Sequence, residues 1–244
     1  MDNESEWKHS FLFIAHRGAS MHAPENTLTA FKKALEMGAD AIEFDVRRTY
    51  DGIPVLVHDE DLRRVAGISR RVLELKLEEL KKIKVFSIET IPTLEEVLQE
   101  LGGKVVMFME IKDVGLEEVV TTLIKQYNVV DQSLVISFNY NILTKVKELY
   151  RRVEIGLLSN TPSIPISVAI KSGAMAILPK HTTITPQVIK EAHAKKLKVY
   201  TWTINDVAQA LKVINYGVDG IATDNLVLKS MISKQAMLTR FFKR

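Results

Sequence analysis

The chain has 244 residues, a formal net charge of +3, 46% hydrophobic residues and no cysteine. The lack of cysteine excludes disulfides, thiolate nucleophiles and cysteine–zinc centres, and so small a net charge gives no footing for nucleic-acid binding. No apolar run approaches the ~20 residues of a membrane span. The acidic opening Met1–Glu6 also lacks the basic start and apolar centre of a secretion signal, so the expected address is the cytoplasm.

Phe11–Ala15 is a short apolar run ending at His16-Arg17-Gly18, a buried strand of a parallel sheet. Ala23-Pro24-Glu25-Asn26-Thr27 opens a helix whose apolar face is Leu28, Phe31 and Leu35 and which Gly38 closes. Strand two, Ala41–Val46, alternates with period two, so Glu43 and Asp45 point the same way. Asp51-Gly52 reads as a two-residue hairpin turn. With Tyr50 then facing Ile53, His58 on the return segment Pro54–Asp59 falls opposite Asp45. The charged segment Leu62–Lys84 reads as a loop and helix over one end of the fold. A helix from Pro92-Thr93 through Leu98 stops at Gly102-Gly103 and precedes the strand Val105–Lys112.

From there helices and strands alternate. Helices near Leu116–Tyr127, Ile142–Tyr150, Ile166–Lys171, Pro186–Lys196 and Val207–Tyr216 precede strands at Leu134–Phe138, Glu154–Leu158, Ala176–Pro179, Lys198–Trp202 and Gly220–Asp224, and a last helix runs to the C-terminus. A strand reached through a two-residue turn is antiparallel to its neighbour, so Pro54–Val57 stands outside the count. Eight parallel strands remain. The expected fold is α/β, a (β/α)8 TIM barrel with an antiparallel hairpin extension after strand two, in a single domain over residues 1–244. An open doubly wound sheet is the competing architecture, but no Gly-rich phosphate fingerprint follows strand one.

In such a barrel the C-terminal strand ends form the active-site mouth. Those ends supply His16 and Arg17, Glu43 and Asp45 with His58 from the hairpin, Glu110 and Lys112, Phe138, and Trp202. Three carboxylates without cysteine suit one hard divalent cation, Mg2+ or Ca2+, with zinc the less favoured alternative that the two histidines keep open. Arg17 and Lys112 suit an anionic substrate, Arg through paired hydrogen bonds to phosphate. Phe138 and Trp202 lie beside them as substrate contacts. Two histidines across the mouth suit a general acid and a general base. Together these groups point to cleavage of a phosphate ester. His193, on a helix among lysines, reads as a solvated residue.

At these residues the chain resembles the glycerophosphodiester phosphodiesterase family. The likeness runs through His16–Ala19, Ala23–Thr27, Gly38–Val46, Thr49–Gly52, Val57–Asp59, Ile91–Glu96, Glu110–Lys112, Ser137-Phe138, Thr201–Asn205 and Gly217–Asp224. It implies a metal-dependent hydrolase on a TIM barrel. The products implied are sn-glycerol 3-phosphate and an alcohol, formed by direct attack of water or through a cyclic phosphate. It places metal ligands at Glu43, Asp45 and Glu110, acid–base histidines at His16 and His58, and phosphate-binding cations at Arg17 and Lys112. The chain departs from the family pattern at Leu62–Gly67, where Arg63 stands in place of an aspartate and the usual threonines are missing.

The implied partner is a small-molecule glycerophosphodiester, in a role in lipid and glycerol metabolism; a homo-oligomer is compatible with the composition. A second reading is a lysophospholipase D-like hydrolase acting on lysophospholipids at a membrane surface. It draws on Lys229–Arg244, where Met231, Ile232, Leu238, Phe241 and Phe242 mix with basic residues. The simpler reading of that segment is the eighth barrel helix. A non-catalytic barrel is the third reading; it predicts a missing ligand or acid–base group, and none is missing.

Overall fold

The computed structural model describes residues 6–161 and 166–242, those from 235 onward as backbone only. The acidic first residues 1–5 and the side chains of Leu238, Phe241 and Phe242 lie outside the described residues. Strands and helices alternate as β1 (Leu12–His16), α1 (Leu28–Glu36), β2 (Ala41–Arg48), β3 (Pro54–Leu56), β4 (Asp61–Leu62), α2 (Arg63–Ala66), β5 (Ile68–Arg71), α3 (Leu77–Leu80), α4 (Leu94–Leu101) and β6 (Val106–Ile111). They continue as α5 (Glu117–Gln126), β7 (Ser133–Ser137), α6 (Tyr140–Leu149), β8 (Glu154–Ser159), α7 (Ile166–Ser172), β9 (Ala176–Pro179), α8 (Pro186–Ala194), β10 (Lys198–Thr201), α9 (Val207–Tyr216), β11 (Gly220–Thr223) and α10 (Val227–Phe242).

Among the described residues, eight parallel strands close in the order β1, β2, β6, β7, β8, β9, β10, β11 and back to β1, the (β/α)8 barrel. Period-two alternation divides each strand between two cores. On β2, Ile42, Phe44 and Val46 pack outward under the helices, and on β6 Met107, Met109 and Ile111 do the same. The opposite faces fill the lumen, with Leu12, Ile14, Phe108, Ile136 and Tyr200 at its lower levels. Helix starts follow local chemistry: the Thr27 and Thr93 hydroxyls accept from the N–H groups of Ala30 and Glu96, and Glu96 answers by accepting from Thr93 N–H, a capping box. Among the described residues no helix is long and apolar enough to cross a membrane.

Two local expectations need correction. The hairpin pairs Val46 with Leu56, Arg47 with Val55 and Arg48 with Pro54, one residue off the expected register. Its loop is three residues long: Thr49 N–H donates to Ile53 O, Gly52 N–H donates to Thr49 O, and Gly52 sits left-handed at φ +82°. The Thr49 hydroxyl holds this wider loop, donating to Asp51 and accepting from Ile53 N–H. Val57, not His58, therefore faces Asp45. Pairing ends at Leu56 and the chain bends over residues 58–60, and that bend carries His58 to the mouth. Second, Leu62–Lys84 is more than a loop and helix. β4 and β5 form a two-stranded antiparallel sheet with α2 and α3 beside it, over a separate core containing Val57, Leu62, Val65, Leu75 and Leu80. His193 is solvent-exposed as expected, its side chain 42% exposed with Nε2 2.8 Å from Asp219.

Candidate active site

β1 stops at His16 because the next two residues turn left-handed, Arg17 at φ +57° and Gly18 at φ +82°, with Gly18 N–H closing on Ala15 O at 3.2 Å. Only glycine fits at position 18, since a Cβ there would also stand 2.8 Å from the Ala30 methyl on α1. The turn aims Arg17 N–H at Glu43 Oε2, 3.0 Å away, and brings its guanidinium to 3.3 Å from Asp45. A non-glycine residue held left-handed costs about 1–3 kcal/mol. The contact to Glu43, the 3.0 Å ion pair to Glu25 and the 3.0 Å bond from Asn26 N–H to Arg17 O offset that strain.

The inward rows of two neighbouring strands supply the acids. Register sets Asp45 of β2 beside Glu110 of β6, and His16 of β1 beside Glu43. The three carboxylates are buried, and one oxygen from each lies within 4.8 Å of the others. Oxygens bound to one hard cation at ~2.1–2.5 Å stand about that far apart, so the set fits a single Mg2+ or Ca2+. Lys112, just beyond β6, reaches Glu110 at 2.7 Å and Asp45 at 3.0 Å. Asn26 clamps Asp45 twice, donating to Oδ2 at 2.8 Å and accepting from Asp45 N–H at 3.1 Å.

The charge balance is uneven. Burial opposes ionisation of Asp45, but Lys112 and Arg17 outweigh it and hold this carboxyl well below the usual range. Burial and the neighbouring Asp45 push Glu43 up to about 8. Burial also raises Glu110, against the pull of Lys112. Were all three ionised, three acids against two cations would leave the cluster short of positive charge, a second reason that a divalent ion suits it. Arg17 Nε–H is buried against Asp45, 3.3 Å away, without completing a hydrogen bond to it.

Both imidazoles are held the same way. His16 Nδ1 is 2.7 Å from Asp224 Oδ1, and His58 Nδ1 is 2.7 Å from Asp59 Oδ1. Both aspartates are depressed in pKa despite partial burial, held ionised by these histidines and other donors. An ionised carboxylate only accepts, so each Nδ1 carries the proton and each Nε2 is the reactive nitrogen. Asp224 is itself fixed by Ser20 Oγ at 3.0 Å and Asn205 Nδ2 at 2.7 Å. Burial lowers His58 below its ordinary value. Burial acts the same way on His16, but Asp224 and then Glu43 outweigh it and the net direction is up.

One cavity at the barrel mouth is lined by His16, Arg17, Glu43, His58, Glu110, Lys112, Phe138 and Trp202. Asp45 lies behind them, 1% exposed. Phe138 and Trp202 meet edge to face with ring centres 5.7 Å apart, and the Trp202 indole N–H donates to Leu178 O at 2.7 Å. All nine candidates from the strand-end reading thus come to one place. The residues that orient them (Glu25, Asn26, Asp59 and Asp224) carry no role in that reading. The adjacency of Asp59 to His58, and the position of Asp224 at the end of the eighth barrel strand, were the available signals.

The His16–Asp224 pair predicts a pH window of stability. A histidine raised above its ordinary ~6.5 stabilises fully below that value and loses the contribution as pH rises through the folded pKa. A carboxyl lowered from ~3.9 stabilises fully above that value and loses the contribution as pH falls. Asp224 is drawn down to about 2. In chelator, the stability difference between wild type and Asp224→Asn is therefore expected to peak at about 1–2 kcal/mol between about pH 4 and 6.5, after discounting for solvent screening. It should shrink on either side; urea midpoints with the same difference from pH 2 to 9 would contradict the pairing.

A model of the glycerophosphoryl diester phosphodiesterase family matches residues 16–228. The chain is 37% identical over 228 residues to a glycerophosphodiester phosphodiesterase of Caldanaerobacter subterraneus, spanning 88% of this chain and 94% of that one. It is 34% identical over 230 residues to one from Bacillus altitudinis, spanning 86% and 93%. Among solved structures it is similar to an Oleispira antarctica phosphodiesterase in complex with the product sn-glycerol-3-phosphate, with a TM-score of 0.86, 30% identity and coverage of 93% of this chain and 98% of that one. A glycerophosphodiester phosphodiesterase from Thermotoga maritima matches with a TM-score of 0.80, 27% identity and coverage of 92% and 99%.

Proposed function

The chain belongs to the glycerophosphoryl diester phosphodiesterase family and is a phosphoric diester hydrolase, and we propose that it cleaves glycerophosphodiesters to sn-glycerol 3-phosphate and an alcohol. The reading is carried by one observation: two imidazoles, each with Nδ1 committed to an aspartate, line the same cavity as a buried carboxylate cluster and two cations. Glu43, Asp45 and Glu110 would hold one divalent cation, Mg2+ or Ca2+. When bound, the ion supplies Lewis-acid polarisation of a phosphoryl oxygen and offsets charge that builds there.

The chain's own groups do the rest. Arg17 and Lys112, which line the cavity, bind the non-bridging oxygens of the diester. One imidazole Nε2 accepts the proton of the attacking hydroxyl, and the other donates a proton to the departing alkoxide, so the alcohol leaves neutral. Phe138 and Trp202 flank the carbon skeleton of the substrate with their ring faces and edges.

The test is a panel of divalent cations against glycerophosphocholine, glycerophosphoethanolamine and lysophospholipids, scored by release of glycerol 3-phosphate or its acylated counterpart. The expected result is release from the glycerophosphodiesters that stops in chelator and returns with Mg2+ or Ca2+. Turnover confined to lysophospholipids would move the substrate to the lipid class, and no release under any cation would overturn the assignment.

A further inference from the structure

Arg64 sits on α2, whose neighbour Val65 is buried in the small core under the post-hairpin segment. From that anchor Arg64 turns to Asp59, the neighbour of His58, and to Glu25. Its Nε–H donates to Asp59 Oδ2 at 2.6 Å, while Nη1 and Nη2 take the two oxygens of Glu25 at 2.9 and 2.8 Å. The far oxygen of Asp59 holds His58 Nδ1 at 2.7 Å, and Glu25 also accepts from Arg17 Nη1 at 3.0 Å. A single guanidinium thus grips two carboxylates, one of which orients an imidazole and the other a cavity guanidinium. Its side chain is 44% exposed, so solvent screening discounts what these pairs add to stability.

We propose that Arg64 is a positioning residue for the hydrolysis, setting the His58 ring through Asp59 and the Arg17 guanidinium through Glu25, so that the proton-transfer group and the phosphate-binding group are fixed by one side chain. The inference rests on the roles given above to His58 and Arg17. The planar fork of arginine is what allows three bonds to two carboxylates at once; a lysine keeps the charge without that geometry. It also gives the segment between the hairpin and α4 a purpose: β4, α2 and β5 form the base from which Arg64 reaches across the mouth.

Arg64→Ala is expected to lower kcat by ~10–100-fold, the scale of a reacting group displaced by about an ångström, while the circular-dichroism melt stays near wild type. Arg64→Lys should recover part of the loss. With Arg64 gone, the Asp59 charge acts on His58 uncompensated, while Asp45, Lys112 and Arg17, which also face His58, remain. The limb of the pH profile that disappears in His58→Ala should therefore move to higher pH. In a Glu25→Gln/Asp59→Asn background, Arg64→Ala should cost less than about threefold, because both routes are already cut.

Wild-type kcat with an unmoved pH limb, or an undiminished loss in that double background, would overturn the proposal. Should the alanine variant fail to fold, the lysine variant carries the same comparison, with an intermediate loss of kcat expected and wild-type kcat overturning the proposal. An active His58→Ala enzyme would instead remove the reading on which the inference stands.

Discussion

His58→Ala is expected to lower kcat by ~10²–10⁴-fold, or ~3–5 kcal/mol of transition-state stabilisation, with KM changed much less. His58 lies at the bend after β3, and its side chain is 36% exposed, so its removal leaves no buried void and the fold should survive. His16→Ala should lose as much activity, at a further cost in stability. Its side chain is only 17% exposed, and its loss strips the 2.7 Å partner from Asp224, a carboxylate that then keeps only Ser20 and Asn205. The double variant should fall well short of the product of the two losses, because a donor without its acceptor accomplishes little. Each single variant should also lose one limb of the pH profile. Stopped assays of glycerol 3-phosphate release over a range of pH decide it; wild-type turnover in either variant would take that imidazole out of the chemistry.

The legible part of this site is the part that depends on short-range periodicity. Glu43 and Asp45 are two positions apart, and a strand alternates, so both had to share a face; the structure sets both inward. The same logic carries Glu110, since Phe108 and Val106, two and four positions earlier, are lumen residues. Strand ends are also local features, and reading them found His16, Lys112, Phe138 and Trp202 in one cavity. The hairpin register failed because Asp-Gly marks a turn without fixing its length. A hydroxyl at Thr49 able to close on Ile53 chose three residues over two, and a slip of one residue reverses which side chain faces the partner strand. His58 reaches the mouth by a bend that no pairing rule describes. Asp224 was missed for a different reason: its place at a strand end marked it for the mouth, but its pairing with His16 spans 208 residues of sequence, and a long-range pair leaves no local pattern. The small sheet of β4 and β5 escaped because strands of two and four residues are too short to show a period.

Glu43→Gln is expected to separate ion binding from folding more cleanly than any other substitution in the cluster. Replacing Asp45 would strand Arg17, Lys112 and Asn26, all of which bond it, and removing one partner of a buried charge group costs ~3–5 kcal/mol. Glu43 stands otherwise. Burial and Asp45 push it up to about 8, so without an ion it carries a proton at neutral pH, and glutamine reproduces that neutral state with nearly the same shape. The ion-free variant should therefore unfold at or slightly above the wild-type midpoint. Mg2+ or Ca2+ at a hundred times its wild-type dissociation constant should stabilise the wild type by about 2.7 kcal/mol and the variant hardly at all. At pH 7 wild-type binding should release close to one proton per ion, measurable by titration calorimetry in buffers of different ionisation heat, because the ion must displace the proton from Glu43. Hydrolysis should fall by at least ~10³-fold, since the ion's polarisation and the placement of the diester are lost together. Damage to the fold would lower stability and activity in step. A variant as stable as its parent, blind to divalent cations and inactive, has no such explanation, and one that still binds the ion and turns over would remove Glu43 from the metal site.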